Sequence, residues 1–146
     1  MKHFISINDL SEPRKAVLEA LELKKKANQL DLSISRDKVL CLLFFNNSLR
    51  TRLSTERAAM YVGMKVMVMQ ISETGWALEF EDGVVMNADK AEHIKEAAAV
   101  VSQYADIIGI RSFPTLTDKA FDQEERVLSA FVRYSSVPVV SLEGAT

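Results

Sequence analysis

The chain has 146 residues, 48% of them hydrophobic and 26% charged, which suits one soluble domain with its own core. The formal net charge of -2 excludes a general nucleic-acid binder, because such proteins carry a strongly basic surface. No apolar stretch reaches membrane-spanning length, and the N-terminus lacks the apolar run of a secretion signal, which favours a cytoplasmic location.

Short apolar segments typical of buried strands alternate with longer segments of helical spacing. The first helix is predicted to turn Val17, Ala20 and Leu21 toward the core. The single cysteine, Cys41, excludes an internal disulfide and lies in the first predicted strand, where a buried, inert thiol is expected. In chain order we predict a helix from Pro13, a strand at 39–45, a helix ended by Gly63, a strand at 65–70, a helix at 90–104, a strand at 106–110, a helix at 118–134 and a strand at 137–141.

This alternation predicts an α/β fold, a three-layer αβα domain with a central parallel sheet of about four strands flanked by helices. The whole chain, 1–146, is predicted to be one domain. Ligands of such folds bind beyond the carboxyl ends of the strands, so binding residues are expected in the loops after 45, 70, 110 and 141. The chain stops one loop past its last strand, and we therefore expect the native gene product to continue beyond Thr146.

The loop after the first strand carries the sharpest chemical signal. The helix that follows has two hydroxyls and two arginines in its first turn: Ser48, Arg50, Thr51 and Arg52. Cations at a helix N-terminus cost about 0.3–1 kcal/mol each, because the helix dipole already places positive charge there. A bound anion would compensate, and free N–H groups, hydroxyls and guanidinium groups are phosphate ligands. The turn is therefore predicted to bind an anion. A nucleotide is not the first candidate, because the sequence has no glycine-rich nucleotide loop.

The same residues also allow an ordinary structural interpretation. Ser48 would then be a helix cap, and Arg52 would pair with Glu56 one turn further along. The residues alone leave both interpretations open.

Residues 44–52, FFNNSLRTR, resemble the phosphate-binding signature of aspartate and ornithine carbamoyltransferases, and Leu53-Ser54-Thr55-Glu56 continue the match. Gly75-Trp76 and the segment 108–113, IGIRSF, make the chain most similar to the branch of the family that uses N-acetyl- or N-succinylornithine. The resemblance runs along the whole chain, which corresponds to about the first half of a family member. It implies that this chain is the carbamoyl-phosphate-binding domain, without the amino-acid-binding domain.

The resemblance implies roles for the residues of the anion-binding turn. Ser48, Leu49, Arg50 and Thr51 are expected to hold the phosphate of carbamoyl phosphate, Leu49 through its backbone. Arg52 is expected to support their loop.

The resemblance also assigns four positions outside this turn. Arg111 would be a further cation, near the phosphate and the carbamoyl oxygen, although it would otherwise pass for a surface arginine. Trp76 would be an exposed anchor that reaches the neighbouring site of a homotrimer; alternatively it covers its own core. Glu143, otherwise an ordinary loop acid, would lie near the acceptor. Ala91 occupies the position that helps to select the acyl group; the family branch has proline or glutamate there, so alanine leaves that group open.

The implied reaction moves the carbamoyl group to the δ-amine of an N-acylated ornithine, in arginine biosynthesis, and gives N-acylcitrulline and phosphate. No metal or organic cofactor is expected, because positioning and fixed positive charge supply the catalysis. Arg50 and Arg111 are the expected catalytic residues, since arginine stays charged and can bind two oxygens at once.

A His-Pro-x-Gln motif and the second domain of the family are absent from this sequence, so the chain alone is expected to be inactive. Alternative functions are an ornithine carbamoyltransferase proper, a non-catalytic anion- or phosphopeptide-binding module, and an oligomerisation domain built around Trp76.

Overall fold

The computed structural model describes residues 2–26, 29, 31–71, 76–81, 83–86 and 90–144, apart from the side chain of Phe121. After a short 3-10 helix at Ile7–Asp9, the described elements are α1 (Pro13–Lys25), β1 (Val39–Phe44), α2 (Arg50–Tyr61), β2 (Lys65–Gln70), β3 (Leu78–Glu79), β4 (Glu92–His93), α3 (Ile94–Tyr104), β5 (Ile107–Arg111), α4 (Lys119–Gln123), α5 (Arg126–Tyr134) and β6 (Val139–Glu143).

Four of these strands form one parallel sheet in the order β2-β1-β5-β6, while β3 and β4 form a separate parallel pair. After β1, the chain passes through α2 to β2, which pairs with one edge of β1. It later returns as β5, which pairs with the other edge of β1. The strand order therefore reverses between β1 and β5, which is where folds of this kind leave a crevice for a ligand. The register pairs Phe44 with Arg111, so the last residues of the two strands lie side by side.

The central strands β1 and β5 bury both of their faces, as strands with helices on either side must, whereas Met67 and Met69 of the edge strand β2 are 45% and 36% exposed. Cys41, Leu43, Ile108, Ile110 and Val139 form one core with residues of α3 and α5, which pack on each other over this face. Side chains alternate along a strand, so the residues between these belong to the opposite face. A right-handed connection from β1 to β2 places α2 over that opposite face. The predicted α/β fold, with its parallel four-stranded sheet and flanking helices, is confirmed.

The face under α2 is also closely packed. Leu42 and Phe44 are 0% and 1% exposed. A Cβ added to Gly109 would lie 2.9 Å from Cδ2 of Leu42, which is too close for any larger residue without a shift. Gly63, with φ of +78°, follows the end of α2 as predicted, because this left-handed backbone conformation favours glycine.

The predicted helix at 90–104 begins later than expected. Glu92 and His93 form β4, and α3 starts at Ile94 because Nδ1 of His93 accepts a hydrogen bond from the N–H of Lys95 at 3.1 Å. This side-chain cap satisfies one of the free N–H groups of the helix start.

The single helix predicted at 118–134 is wrong, because the structure divides it into α4 and α5. Glu125 has φ of +41° in the left-handed region, and a right-handed helix cannot continue through such a residue. The apolar spacing is compatible with both arrangements and gives no sign of this break.

The predicted inward face of α1 is also wrong. Val17 and Leu21 are 56% and 51% exposed, Ala20 is exposed, and no residue of α1 is buried. The helix itself forms as predicted from Pro13. This apolar stripe therefore lies outside the core.

Cys41 lies in the core at 3% exposure, and burial raises the pKa of its thiol to about 11. The predicted buried and unreactive cysteine is thus confirmed, because the thiolate is the reactive form. In the part of the chain that the structure describes, no helix combines the length and the apolar character needed to span a membrane.

Candidate functional site

The turn between β1 and α2 lies at the carboxyl end of the sheet, next to the crevice. Oγ of Ser48 accepts a hydrogen bond from the N–H of Thr51 at 3.3 Å, so the capping interpretation of Ser48 is confirmed. Accepting this bond leaves the hydroxyl hydrogen available as a donor. Leu49 is 74% exposed. The role expected for it, a backbone contact to the phosphate, does not involve its side chain. Capping and anion binding by this turn are therefore compatible.

The two arginines of the first turn of α2 differ in their partners. Nε of Arg52 donates to Oε1 of Glu56 at 2.8 Å, which confirms the i,i+4 pair. Arg50 is exposed, and its guanidinium has no hydrogen bond or ion pair within the described residues. The first turn holds no acidic residue, so this charge faces an unfavourable helix dipole. The structure thus leaves Arg50 available to a ligand.

Arg111, at the end of β5, is the most firmly held cation of this edge. Its side chain belongs to the face under α2, because it lies two residues after Gly109 on the strand. Nε donates to Oε2 of Glu143 at 2.7 Å, and Nη1 donates to the carbonyls of Asn46 at 3.5 Å and Asn47 at 3.3 Å. Arg111 is only 9% exposed, so the alternative of an ordinary surface arginine is excluded.

This geometry places Arg111 beside the β1–α2 turn and not at the far end of the sheet. Among the described residues, Nη2 of Arg111 has no hydrogen-bond partner. One nitrogen of the guanidinium therefore remains for a ligand after the fold has satisfied the other two. The sequence brings Arg111 and Glu143 to this edge as predicted, but their mutual ion pair was not predicted.

Asn46 and Asn47 belong to the site although sequence reasoning gave them no role. Their carbonyls hold Arg111, and Oδ1 of Asn46 accepts from the N–H of Phe113 at 2.6 Å. The guanidinium carbon of Arg111 lies 5.4 Å from the centroid of the Phe113 ring, within the range of a cation–π contact. The sequence feature that could have identified Asn46 is an amide side chain directly after a buried strand, at the edge of the sheet where binding residues are expected.

The loop that follows Arg111 is fixed by Asp122 of α4. Its carboxylate accepts from the N–H groups of Thr115 at 2.7 Å and Leu116 at 2.9 Å. Burial opposes ionisation of Asp122, but these bonds outweigh it, and the pKa of the carboxyl lies below its usual value. The loop holds Leu116 at φ of +63° and covers a cavity of about 180 Å³ beside Phe113.

Trp76 and Ala91 lie apart from this group, near the small β3–β4 sheet. Trp76 is half-buried, packs against its own core and donates from Nε1 to Oε2 of Glu92 at 3.2 Å, so the expected exposed side chain is wrong for this chain. Ala91 is exposed, and its N–H donates to the carbonyl of Ala77 at 2.9 Å. Among the described residues, neither bonds to Arg111 or to the turn at 48–52. Gly75, which completes the Gly-Trp pair, lies outside the described residues.

The arrangement at the crevice is suited to a tetrahedral oxyanion. The start of α2 supplies N–H groups without intrahelical partners, Ser48 and Thr51 supply hydroxyls, and Arg50 and Arg111 supply positive charge from two sides. Positive charge held at fixed positions can also stabilise charge that develops on a leaving group.

Comparison with known proteins identifies the family of the chain. The model of the family described as aspartate/ornithine carbamoyltransferase, carbamoyl-P binding domain, matches residues 2–146. The chain belongs to this family. It is 46% identical over all its residues to an N-succinylornithine carbamoyltransferase of Bacteroides thetaiotaomicron, and covers 46% of that protein. It is 39% identical to an N-acetylornithine carbamoyltransferase of Xanthomonas campestris pv. campestris, and covers 43% of it.

A solved structure extends the similarity to three dimensions. The crystal structure of an N-acetyl-L-ornithine transcarbamylase mutant, complexed with carbamyl phosphate and N-succinyl-L-norvaline, superposes with a TM-score of 0.86 at 39% identity. The superposition covers 98% of this chain and 43% of the other. The chain therefore spans less than half the length of each of these three relatives.

Proposed function

We propose that this chain binds carbamoyl phosphate at the crevice between β1 and β5, as the phosphate-binding half of an N-acylornithine carbamoyltransferase. The observation that carries the proposal is the position of Arg111. Arg111 is 9% exposed, and its guanidinium is bound to the carbonyls of the turn that leads into the Ser48–Leu49–Arg50–Thr51 segment. Two arginines that are 61 positions apart in the sequence thus border one helix N-terminus, as recognition of a phosphorylated small molecule requires.

In the proposed reaction the δ-amine of the acceptor attacks the carbamoyl carbon. A new C–N bond forms and the C–O bond to phosphate breaks, so that the leaving phosphate takes the electron pair and also accepts the proton that the amine loses. Ser48, Thr51 and Arg50 would hold the phosphate oxygens, and the N–H groups at the start of α2 would add to them. Arg111 would direct Nη2 to the carbamoyl oxygen, where negative charge grows as the amine attacks.

The finer assignments belong to the same proposal. The acceptor is an N-acylated ornithine, with Glu143 beside it, and Ala91 leaves acetyl and succinyl as alternatives for the acyl group. The complete protein works in the cytoplasm as a homotrimer in which Trp76 contacts the neighbouring subunit. Because Trp76 packs on its own core in the single chain, this contact requires the indole to be released or shared.

Calorimetric titration of the chain with carbamoyl phosphate, inorganic phosphate and sulfate tests the proposal. We expect carbamoyl phosphate to bind at least tenfold more tightly than sulfate, because only carbamoyl phosphate offers Arg111 a carbonyl oxygen in addition to a phosphate. Equal affinities for the three anions would instead support a general anion-binding module. No binding, together with a stable oligomer that Trp76→Ala disrupts, would support an oligomerisation domain.

A further inference from the structure

Asn46 lies between the two loops that form the anion site. Its carbonyl accepts from Nη1 of Arg111 at 3.5 Å, and its side-chain Oδ1 accepts from the N–H of Phe113 at 2.6 Å. One residue earlier, the N–H of Phe45 donates to the carbonyl of Arg111 at 3.0 Å. Asn46 therefore joins the end of β1 to Arg111 and also to the loop that follows it.

Phe113 connects this amide contact to the guanidinium of Arg111. The ring of Phe113 is 5.4 Å from the guanidinium carbon, yet Phe113 is 40% exposed, so burial alone does not fix its position. The backbone bond to Asn46 determines where the loop turns and hence where the ring lies. On its other side Arg111 is held by Glu143, through a distance of 2.7 Å between Nε and Oε2.

We infer that Asn46 is a positioning residue, whose side-chain amide holds the loop at 111–113 against the β1–α2 turn and keeps Arg111 aimed at the bound anion. The inference rests on the proposed function of that turn. A neutral amide suits this place better than a carboxylate, because a carboxylate would add negative charge beside a phosphate. Asn46 would act through Phe113 and Arg111, without forming a bond that breaks or changes in the reaction.

The contact itself is tested without a ligand, by hydrogen exchange of the Phe113 amide in the 15N-labelled chain. We expect slow exchange in the wild type and in Asn46→Asp, which keeps an acceptor oxygen, and exchange about tenfold faster in Asn46→Ala. Equal protection of the Phe113 amide in all three proteins would overturn the inference.

The role in binding is tested by titrating the same samples with carbamoyl phosphate and with inorganic phosphate. Asn46→Ala should bind both roughly three- to tenfold more weakly, as expected for the loss of one positioning hydrogen bond. Asn46→Asp should bind at least as weakly, because its added charge repels the anion although the Phe113 contact is restored. The matched variant is Asn8→Ala, which removes an exposed asparagine side chain from the short 3-10 helix at Ile7–Asp9, outside the β1–α2 turn; its affinity should fall by less than about twofold.

Two outcomes separate this inference from the proposed function. Loss of all carbamoyl phosphate binding by the wild-type chain would overturn the proposed function. Binding by the wild type with the same affinity in Asn46→Ala, or an equal loss in Asn8→Ala, would overturn only the role of Asn46.

Discussion

The two positive charges at the crevice are held in opposite ways. Arg111 is 9% exposed and is bound to Glu143 and to two carbonyls of the β1–α2 turn. Arg50 is exposed at the start of α2, and its guanidinium has no partner in the described part of the chain. One cation is part of the folded framework, whereas the other is left at the surface.

This difference indicates that Arg111 contributes to folding, whereas Arg50 is available only for ligand binding. A nearly buried charge must be paired, so Arg111 and Glu143 depend on each other whether or not an anion is present. Arg50 gains nothing from the folded chain and faces the positive end of the dipole of α2. The proposed anion would account for its position. Mutations at the two positions should therefore have different effects. Disrupting the Arg111–Glu143 pair should lower stability, whereas removing Arg50 should lower the affinity for the anion.

Arg50→Ala should give the largest effect on binding. We expect carbamoyl phosphate to bind about 100-fold more weakly or not at all, because the phosphate loses a charged, two-pronged donor. The unliganded variant should be as stable as the wild type or more stable by about 0.3–1 kcal/mol, since a cation leaves the helix start. Calorimetry and urea denaturation measure the two quantities.

Arg57→Ala is the matched control for this variant. Arg57 lies on the same helix, 4.6 Å from the ring centroid of Tyr61, and outside the crevice. Its removal takes one positive charge from α2 without touching the turn. An affinity loss similar to that of Arg50→Ala would show that α2 attracts anions only by its overall charge.

Glu143→Ala should give the largest effect on stability. The change leaves the charge of Arg111 nearly buried and unpaired, and we expect the free energy of unfolding to fall by about 2 kcal/mol. This is less than for a fully buried pair, because the side chain of Glu143 is 38% exposed. Urea denaturation checks the value.

Glu22→Ala provides the comparison at the surface. Glu22 pairs with Lys26 on α1 at 3.3 Å, but the side chains are 69% and 63% exposed. Such a pair contributes about 0.5 kcal/mol or less. If the two glutamate variants lost the same stability, Arg111 would not depend on its partner.

The contrast also explains what the sequence could and could not predict. The turn at 48–52 and the buried strand before it are local features, so their spacing is enough to predict a candidate anion site at a helix start. Arg111 and Glu143 are 32 residues apart, and Arg111 and Asn46 are 65 apart. Only the parallel register of β1, β5 and β6 brings these residues together, and apolar periodicity does not specify side-chain partners across strands.

Two helical predictions failed for a related reason. The stripe of Val17 and Leu21 predicted a helix correctly, but helical spacing cannot tell which surface an apolar face packs on. The break before α5 depends on Glu125 in a left-handed conformation, which side-chain pattern does not indicate. Trp76 was expected to be exposed because its neighbours are polar, whereas contacts with the core decide its burial.

The opposite end of β5 offers the finest test of the comparison, because Asp106 is a charged residue that joins β5 to β1 away from the crevice. Hydrogen bonds, first from the N–H of Val39 and then from the side chain of Lys38, hold the pKa of Asp106 below its ordinary value of 3.8. A lowered pKa in the folded state favours the ionised form, so the contribution of Asp106 to stability is complete above pH 3.8 and is lost as the pH falls through the lower folded value.

Asp106→Asn should therefore reduce the acid dependence of unfolding below about pH 4 and leave carbamoyl phosphate affinity unchanged. Denaturation curves at a series of acidic pH values, with a titration at neutral pH, measure both effects. A loss of affinity in this variant would mean that the register of β1 against β5, and not the local turn around Arg111, sets the geometry of the anion site.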